Sequence, residues 1–217
     1  MKKRMIAVVI MLSLILSCFT IVSFGASGTK KMTTYNVIKK KNTVYCAAHR
    51  GVFKVNLKTG SVKQLYNRDA VSAATNGGTY SMKLYKGYVY FLEGGPMLNT
   101  LRRVKTKGGK AKKLADIPNS YAIKKNKIYY SGFNTKKEKL YDGVMKLSGK
   151  SKKKSKYKAK TTNKETNSPG YYINNVYEGE LWYGDGYGNG EWHDTYTEYL
   201  VVKGGKPIKL CTYYTYW

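Results

Sequence analysis

The 217-residue chain is poor in acid, histidine and cysteine: 12 Asp and Glu stand against 40 Lys and Arg, with 2 His and 3 Cys. Each scarcity removes a class of chemistry. His49 and His193 form no His-x-x-x-His pair for zinc, and no Cys-x-x-Cys spacing exists. No Gly-x-Ser-x-Gly elbow occurs, and Gly77 with Gly78 signals a hairpin rather than a phosphate cradle. Among the few carboxylates, Asp185 with Glu191 is the one pair worth testing for glycoside hydrolysis, and no motif sets their separation. The expectation is a protein without a catalytic site, cofactor or metal. Amphipathic helices are missing too.

The N-terminus is rich where the rest is poor. Lys2, Lys3 and Arg4 precede an apolar run from Met5 to Phe24, interrupted by Ser13, Ser17, Cys18, Thr20 and Ser23. That is the layout of a secretory signal, and Ser23 and Gly25 suit cleavage after Gly25. Residues 1–25 are therefore expected to be a signal peptide, residues 26–33 a linker, and residues 34–217 the folded domain. A retained anchor is the rival, because the run is long enough to span a bilayer, and membrane attachment is expected only then. Ile15, Leu16 and Ser17 before Cys18 also resemble a lipobox weakly, although Leu16 is bulky there. The expected location is secreted or associated with the cell envelope.

Loss of three basic residues with the signal lowers the net charge from +28 to +25. So strong a charge attracts polyanions, which outside a cell are wall polymers, acidic glycans, phospholipid headgroups and nucleic acid. Cys46 and Cys211 remain. They are either isolated strand cysteines or a disulfide joining the two ends of the domain, a bond that export permits.

The remaining sequence alternates Val, Ile, Tyr and Thr with polar residues and is punctuated by Gly, Asn and Lys, which predicts an all-β fold. Residues 35–38, 44–48, 52–57 and 61–66 form four short strands, with turns at 40–42, 49–51 and 58–60. The phrase then recurs. Val44-Tyr45 corresponds to Val89-Tyr90, to Ile128-Tyr129 and to Leu181-Trp182; Thr59-Gly60 is answered by Gly108-Gly109, Ser148-Gly149 and Gly204-Gly205. Leu65, Leu114 and Leu210 follow in three of the copies. Units at about 34–67, 80–117, 120–160 and 170–211 result, with Trp182 in a core position and Trp192 exposed in an insertion. Four-stranded units of this period suit propeller blades; a β-sandwich or a flat array of hairpins shares the same local signals.

The first copy, VYCAAHRGVFKVNLKTGSVKQL, resembles the repeat of bacterial exported β-propellers related to the low-density-lipoprotein-receptor-related type. The resemblance covers about residues 35–210. It implies a β-propeller-like domain of about four four-stranded blades, in a family whose bacterial members mostly lack an assigned activity, and it carries over no catalytic residue. The sequence departs from the receptor pattern in lacking Tyr-Trp-Thr-Asp and in having four units where that family closes with more. The ring is then small, or open and completed by a partner chain.

Two segments could bind something. Lys152, Lys153, Lys154, Lys156, Lys158 and Lys160 are expected on the fourth strand of the third unit, where lysine both blocks edge-to-edge aggregation and faces polyanions. Residues 178–198 hold half of all the acidic residues. There Trp182, Tyr183, Asp185, Tyr187, Asn189, Glu191 and Trp192 suit a glycan platform. A calcium loop is a weaker reading than the platform, since Tyr187 and Tyr196 stand where carboxylates belong, and a plain surface hairpin loop, polar to stay soluble, is the reading against which both compete. The functional expectation is an exported, non-enzymatic binding or scaffold module whose basic surface meets an anionic polymer, either a wall polymer or an acidic glycan, or another envelope protein. No sequence-specific nucleic-acid binding is expected. The alternative is a carbohydrate-binding or glycan-acting protein using the Tyr/Trp-rich loop 182–192.

Overall fold

The computed structural model describes residues 28–68, 77–94, 99–116, 118–134, 139–164, 168–182 and 191–216. The expected signal segment lies outside them. Every regular element among the described residues is a strand, and none of their segments is a helix long and apolar enough to cross a membrane.

The strands are β1 (Thr29–Tyr35), β2 (Val37–Lys40), β3 (Thr43–Ala48), β4 (Gly51–Asn56), β5 (Val62–Asn67), β6 (Gly78–Tyr85), β7 (Tyr88–Gly94), β8 (Asn99–Lys105), β9 (Lys112–Asp116), β10 (Pro118–Lys124), β11 (Lys127–Asn134), β12 (Lys139–Lys146), β13 (Lys153–Lys154), β14 (Lys158–Lys164), β15 (Tyr171–Trp182), β16 (Glu191–Val202) and β17 (Ile208–Tyr216). They form four antiparallel meanders: β2 to β5, β6 to β9, β10 to β13, and β15 to β17. None of the sheets closes on itself. β1 and β14 form a separate parallel ribbon, which joins the second sheet through the single pair Tyr35 and Met82.

Local chemistry explains the meanders. The first two strands of the second and third sheets are joined by two-residue turns, Lys86-Gly87 and Lys125-Asn126, in which both residues have positive φ. This is the hairpin turn whose twist matches that of the strands, and Gly and Asn tolerate it best. Lys41 takes the same conformation, at φ 57°, in the first sheet.

Three apolar clusters hold the sheets face to face. Val44, Cys46, Phe53 and Val55 of the first sheet pack with Leu200 and Leu210 of the fourth. Tyr45, Ala47, Val52 and Leu65, on the opposite face of the first sheet, pack with Met82, Val89, Phe91 and Val104 of the second. Tyr90, Leu92, Leu101 and Leu114 of the second pack with Tyr121, Ile128, Tyr130 and Met145 of the third, with Met32 of β1 added. The spatial order is therefore fourth, first, second, third. No cluster among the described residues joins the third sheet to the fourth.

Two expectations are corrected. The lysine run is not one edge strand: β13 is only Lys153–Lys154, after which the chain leaves the sheet and Lys158–Lys164 pairs with β1. Thr161 draws it away, since its hydroxyl accepts from the Tyr121 N–H at 2.9 Å and donates to the Tyr121 carbonyl at 2.7 Å. The fourth unit has three strands among the described residues, and its register differs from the expected one. The first residue of β15, Tyr171, pairs with the last of β16, Val202, as Thr43 pairs with Asn56 in the first sheet. Tyr172 and Ile173 are thus the counterparts of Val44 and Tyr45, and Leu181-Trp182 lies at the far end of the hairpin. The long twelve-residue strands of this unit displaced the motif, because an aromatic pair near a strand start is indistinguishable in sequence from one near its end.

Candidate polyanion-binding surface

In the β1–β14 ribbon, Lys31 lies beside Lys160, Thr29 beside Lys158 and Thr33 beside Thr162. These residues share one face by strand alternation, and Lys31, Lys158 and Lys160 are exposed on it. The other face is buried through Met32, Thr34 and Ala159. It docks on β10, where the Ser120 hydroxyl donates to the Ala159 carbonyl at 2.9 Å and the Ile123 N–H donates to Met32 Sδ at 3.2 Å. The backbone of the lysine strip is therefore held from behind while its charges face water.

The six expected lysines, Lys152, Lys153, Lys154, Lys156, Lys158 and Lys160, are all exposed. The ion pairs among the described residues join Arg68 and Arg102 to Glu93 and Lys113 to Asp116, so none neutralises this strip. Tyr157 gives the strip an aromatic floor. Its ring meets Tyr129 edge-on, with centroids 5.8 Å apart, Lys30 Nζ lies 3.9 Å from its centre and Lys156 Nζ 5.4 Å. Cation–π attraction fixes such ammonium groups without neutralising them.

Two shallow clefts at the sheet boundaries repeat the combination of lysine and tyrosine, and sequence reasoning missed both. One, of about 320 Å³, lies between the fourth and first sheets and is lined by Lys39, Tyr171, Val202 and Lys203. Lys39 Nζ is 5.4 Å from the centre of the Tyr171 ring. The other, of about 130 Å³, lies between the first and second sheets and includes Lys40, Tyr45, Tyr85, Lys86 and Tyr88. Their common signal was the lysine at each first hairpin turn.

Asp194 and Glu198 are buried. Asp194 accepts from the Tyr177 hydroxyl at 2.8 Å. Glu198 accepts the His49 N–H with both oxygens, at 2.8 and 3.0 Å, and the Cys211 thiol at 3.2 Å. His49 stacks on Tyr213 with centroids 4.3 Å apart, and Tyr213 stacks on Tyr196 at 5.1 Å. These groups fasten the fourth sheet to the β3–β4 turn of the first. Cys46 and Cys211 are free thiols, and burial together with the Glu198 charge pushes both well up, so they stay protonated near neutrality.

Of the expected glycan residues, Tyr183, Asp185, Tyr187 and Asn189 lie outside the described residues. β15 and β16 pair Trp182 with Glu191 and Leu181 with Trp192 at the end of their hairpin. No group of three metal-ligating side chains occurs among the described residues. No protein-family model matches the chain, and no curated protein matches it significantly.

Proposed function

We propose that the protein is an exported, non-enzymatic module with propeller-like stacking of its sheets, which binds anionic polymers of the cell envelope or its surroundings through the lysine strip of residues 152–160 and Lys31. The observation that carries this reading is the exposure of all six lysines, with no ion pair to them among the described residues, two of them on a ribbon anchored from behind. An edge that only needed to repel other strands would require fewer charges. The repeated face-to-face contacts support the propeller-like arrangement, since each blade of a propeller packs the same way on the next.

Binding is then electrostatic and reads charge density rather than sequence. Retention of the protein on immobilised heparin or teichoic acid should fall steeply with salt, as counterion release requires. Replacing Lys152, Lys153, Lys154 and Lys156 with Gln should move elution to clearly lower salt; an unchanged elution position rejects the strip as the binding surface. A second reading, carbohydrate binding or processing, draws on the concentration of Trp and Tyr in residues 182–192. Saturable, salt-insensitive binding of a neutral oligosaccharide that is lost in Trp192→Ala would favour it.

A further inference from the structure

The strands of the four sheets run up and down between two rims, and one of these rims is built from lysine-bearing turns. Tyr85, at the end of β6, donates its hydroxyl to Asn126 Oδ1 in the β10–β11 turn at 2.9 Å, and Lys63 of β5 donates from Nζ to the Lys107 carbonyl at 3.0 Å. Lys39 joins the fourth sheet to the first on the same side, with its Nζ 5.4 Å from the centre of the Tyr171 ring. The rim comprises residues 39–43, 58–61, 86–87, 105–112, 124–127, 146–150 and 203–207, which hold sixteen Lys and no Asp or Glu. All sixteen are exposed, and no ion pair among the described residues reaches them. Turn geometry asks for Gly and Asn, which these segments also contain, so it does not account for the lysines. Glu93 and Asp116 lie at the opposite strand ends.

Where sheets meet, the rim is grooved and its grooves are walled by tyrosine. Strand alternation sends Lys39 and Lys40 of β2 to opposite faces. Lys39 borders the cleft of about 320 Å³ with Tyr171 and Lys203, and Lys40 borders that of about 130 Å³ with Tyr85, Lys86 and Tyr88. The two clefts therefore share β2 as a wall, and one extended ligand can lie across both. Tyr85, Tyr88 and Tyr171 are half-buried, so each ring is partly in water. The core holds them from behind: Tyr171 packs on the cluster between the first and fourth sheets, and Tyr85 and Tyr88 pack on that between the second and third. Fixed rings thus stand beside mobile ammonium groups.

We infer that this rim is a second binding surface, for an acidic polysaccharide whose sugar rings lie on Tyr85, Tyr88 and Tyr171 while its carboxylates or sulfates meet the surrounding lysines. Tyrosine combines a flat apolar body with a polar tip, and lysine supplies a flexible point charge. Their alternation along the rim suits a polymer that itself alternates ring and charge. A polyanion without rings would engage the lysines alone. The rim includes neither Lys31 nor residues 152–160, so it does not rest on the lysine strip, and either surface can fail without the other.

Titration calorimetry of the exported full chain with a size-defined heparin oligosaccharide, and in parallel with linear polyphosphate of matched charge, tests this surface. The oligosaccharide should bind about tenfold tighter than polyphosphate, the margin that ring contacts add. Gln at Lys39, Lys40, Lys86 and Lys203 should weaken oligosaccharide binding by about tenfold or more, and the slope of log affinity against log salt should fall by on the order of one for each lysine that meets an anion. Circular dichroism should be unchanged, because all four side chains are exposed. Tyr88→Leu and Tyr171→Leu, which keep an apolar side chain against the core, should lower affinity for the oligosaccharide and leave that for polyphosphate as it was. Gln at Lys152, Lys153, Lys154 and Lys156 should leave the rim's oligosaccharide binding in place. Unchanged oligosaccharide affinity in the rim lysine variant overturns the assignment of this surface, whatever the strip variant does. Equal affinity for the two probes, or tyrosine variants that bind the oligosaccharide as the parent does, overturns the polysaccharide as its ligand.

Discussion

The first and second sheets each pack between two other sheets, whereas the third and fourth each pack on one, and the difference is written in the strands. β3 reads TVYCAA with its last five residues buried, and β7 reads YVYFLEG with five consecutive buried positions. β11 reads KIYYSGFN and is buried at alternate positions; β15 exposes Tyr172, Asn174 and Val176. A sheet covered on both faces needs an unbroken apolar run, and a sheet covered on one needs alternation. Identical meanders can therefore be ranked as middle or end of a stack by the pattern of their second strand.

Truncation breaks this comparison most strongly. Phe91→Ala in the second sheet should cost about 3–5 kcal/mol, the range for a buried aromatic that leaves a cavity, while Leu140→Ala in the third should stay within about 0.5 kcal/mol. Urea unfolding of both variants measures the contrast; similar losses would erase the distinction between middle and end sheets.

Alkaline pH should act next, through the interface of the second and third sheets. Burial pushes Tyr121 well above the ordinary phenol range, and burial with the neighbouring Tyr141 pushes Tyr130 up to about 12. The folded protein therefore keeps these protons after the unfolded chain, with a phenol pKa of about 10, has begun to lose them. Stability contributed below about pH 10 is lost as the pH rises toward 12. Melting temperature against pH checks the sign, and Tyr130→Phe should flatten the decline.

A smaller contrast separates two carboxylates. Glu198→Ala leaves the half-buried His49 N–H without its acceptor at the boundary of the first and fourth sheets, at a cost of about 1–3 kcal/mol. Asp142, which accepts from the Ser131 hydroxyl at 2.7 Å on the outer face of the third sheet, should cost less than about 1 kcal/mol as Ala. Equal effects in a denaturant titration would contradict the assignment of Glu198 as the fastening between sheets. Smallest of all, Gln at Lys152, Lys153, Lys154 and Lys156 should change stability by no more than about 0.5 kcal/mol, because these exposed side chains lie at an edge and contribute to charge rather than packing.

Much of the strand layout was legible because turn chemistry is local. Lys41-Asn42, Gly51 and Gly60 delimit β2 to β5, and the same kinds of residue delimit the second and third sheets. The exposure of the lysine run was legible as well, since six ammonium groups so close in sequence have no inexpensive burial. Their division between β13 and β14 was not, because it depends on Thr161 meeting the edge of β10, forty residues away in the chain. The lysine and tyrosine clefts stayed hidden for the same reason: Lys39 and Tyr171 become neighbours only when the fourth sheet packs on the first.

The sequence by itself determined an all-β chain of repeated short strands, the places where they turn, and a large positive charge, since these rest on φ preferences, side-chain alternation and composition. Tertiary structure decided the order of the sheets, the parallel ribbon of β1 and β14, the register of the fourth unit, and the burial of Asp194 and Glu198 as acceptors. Each of these is a contact between residues far apart in the chain, and its free energy depends on which faces meet rather than on any local pattern.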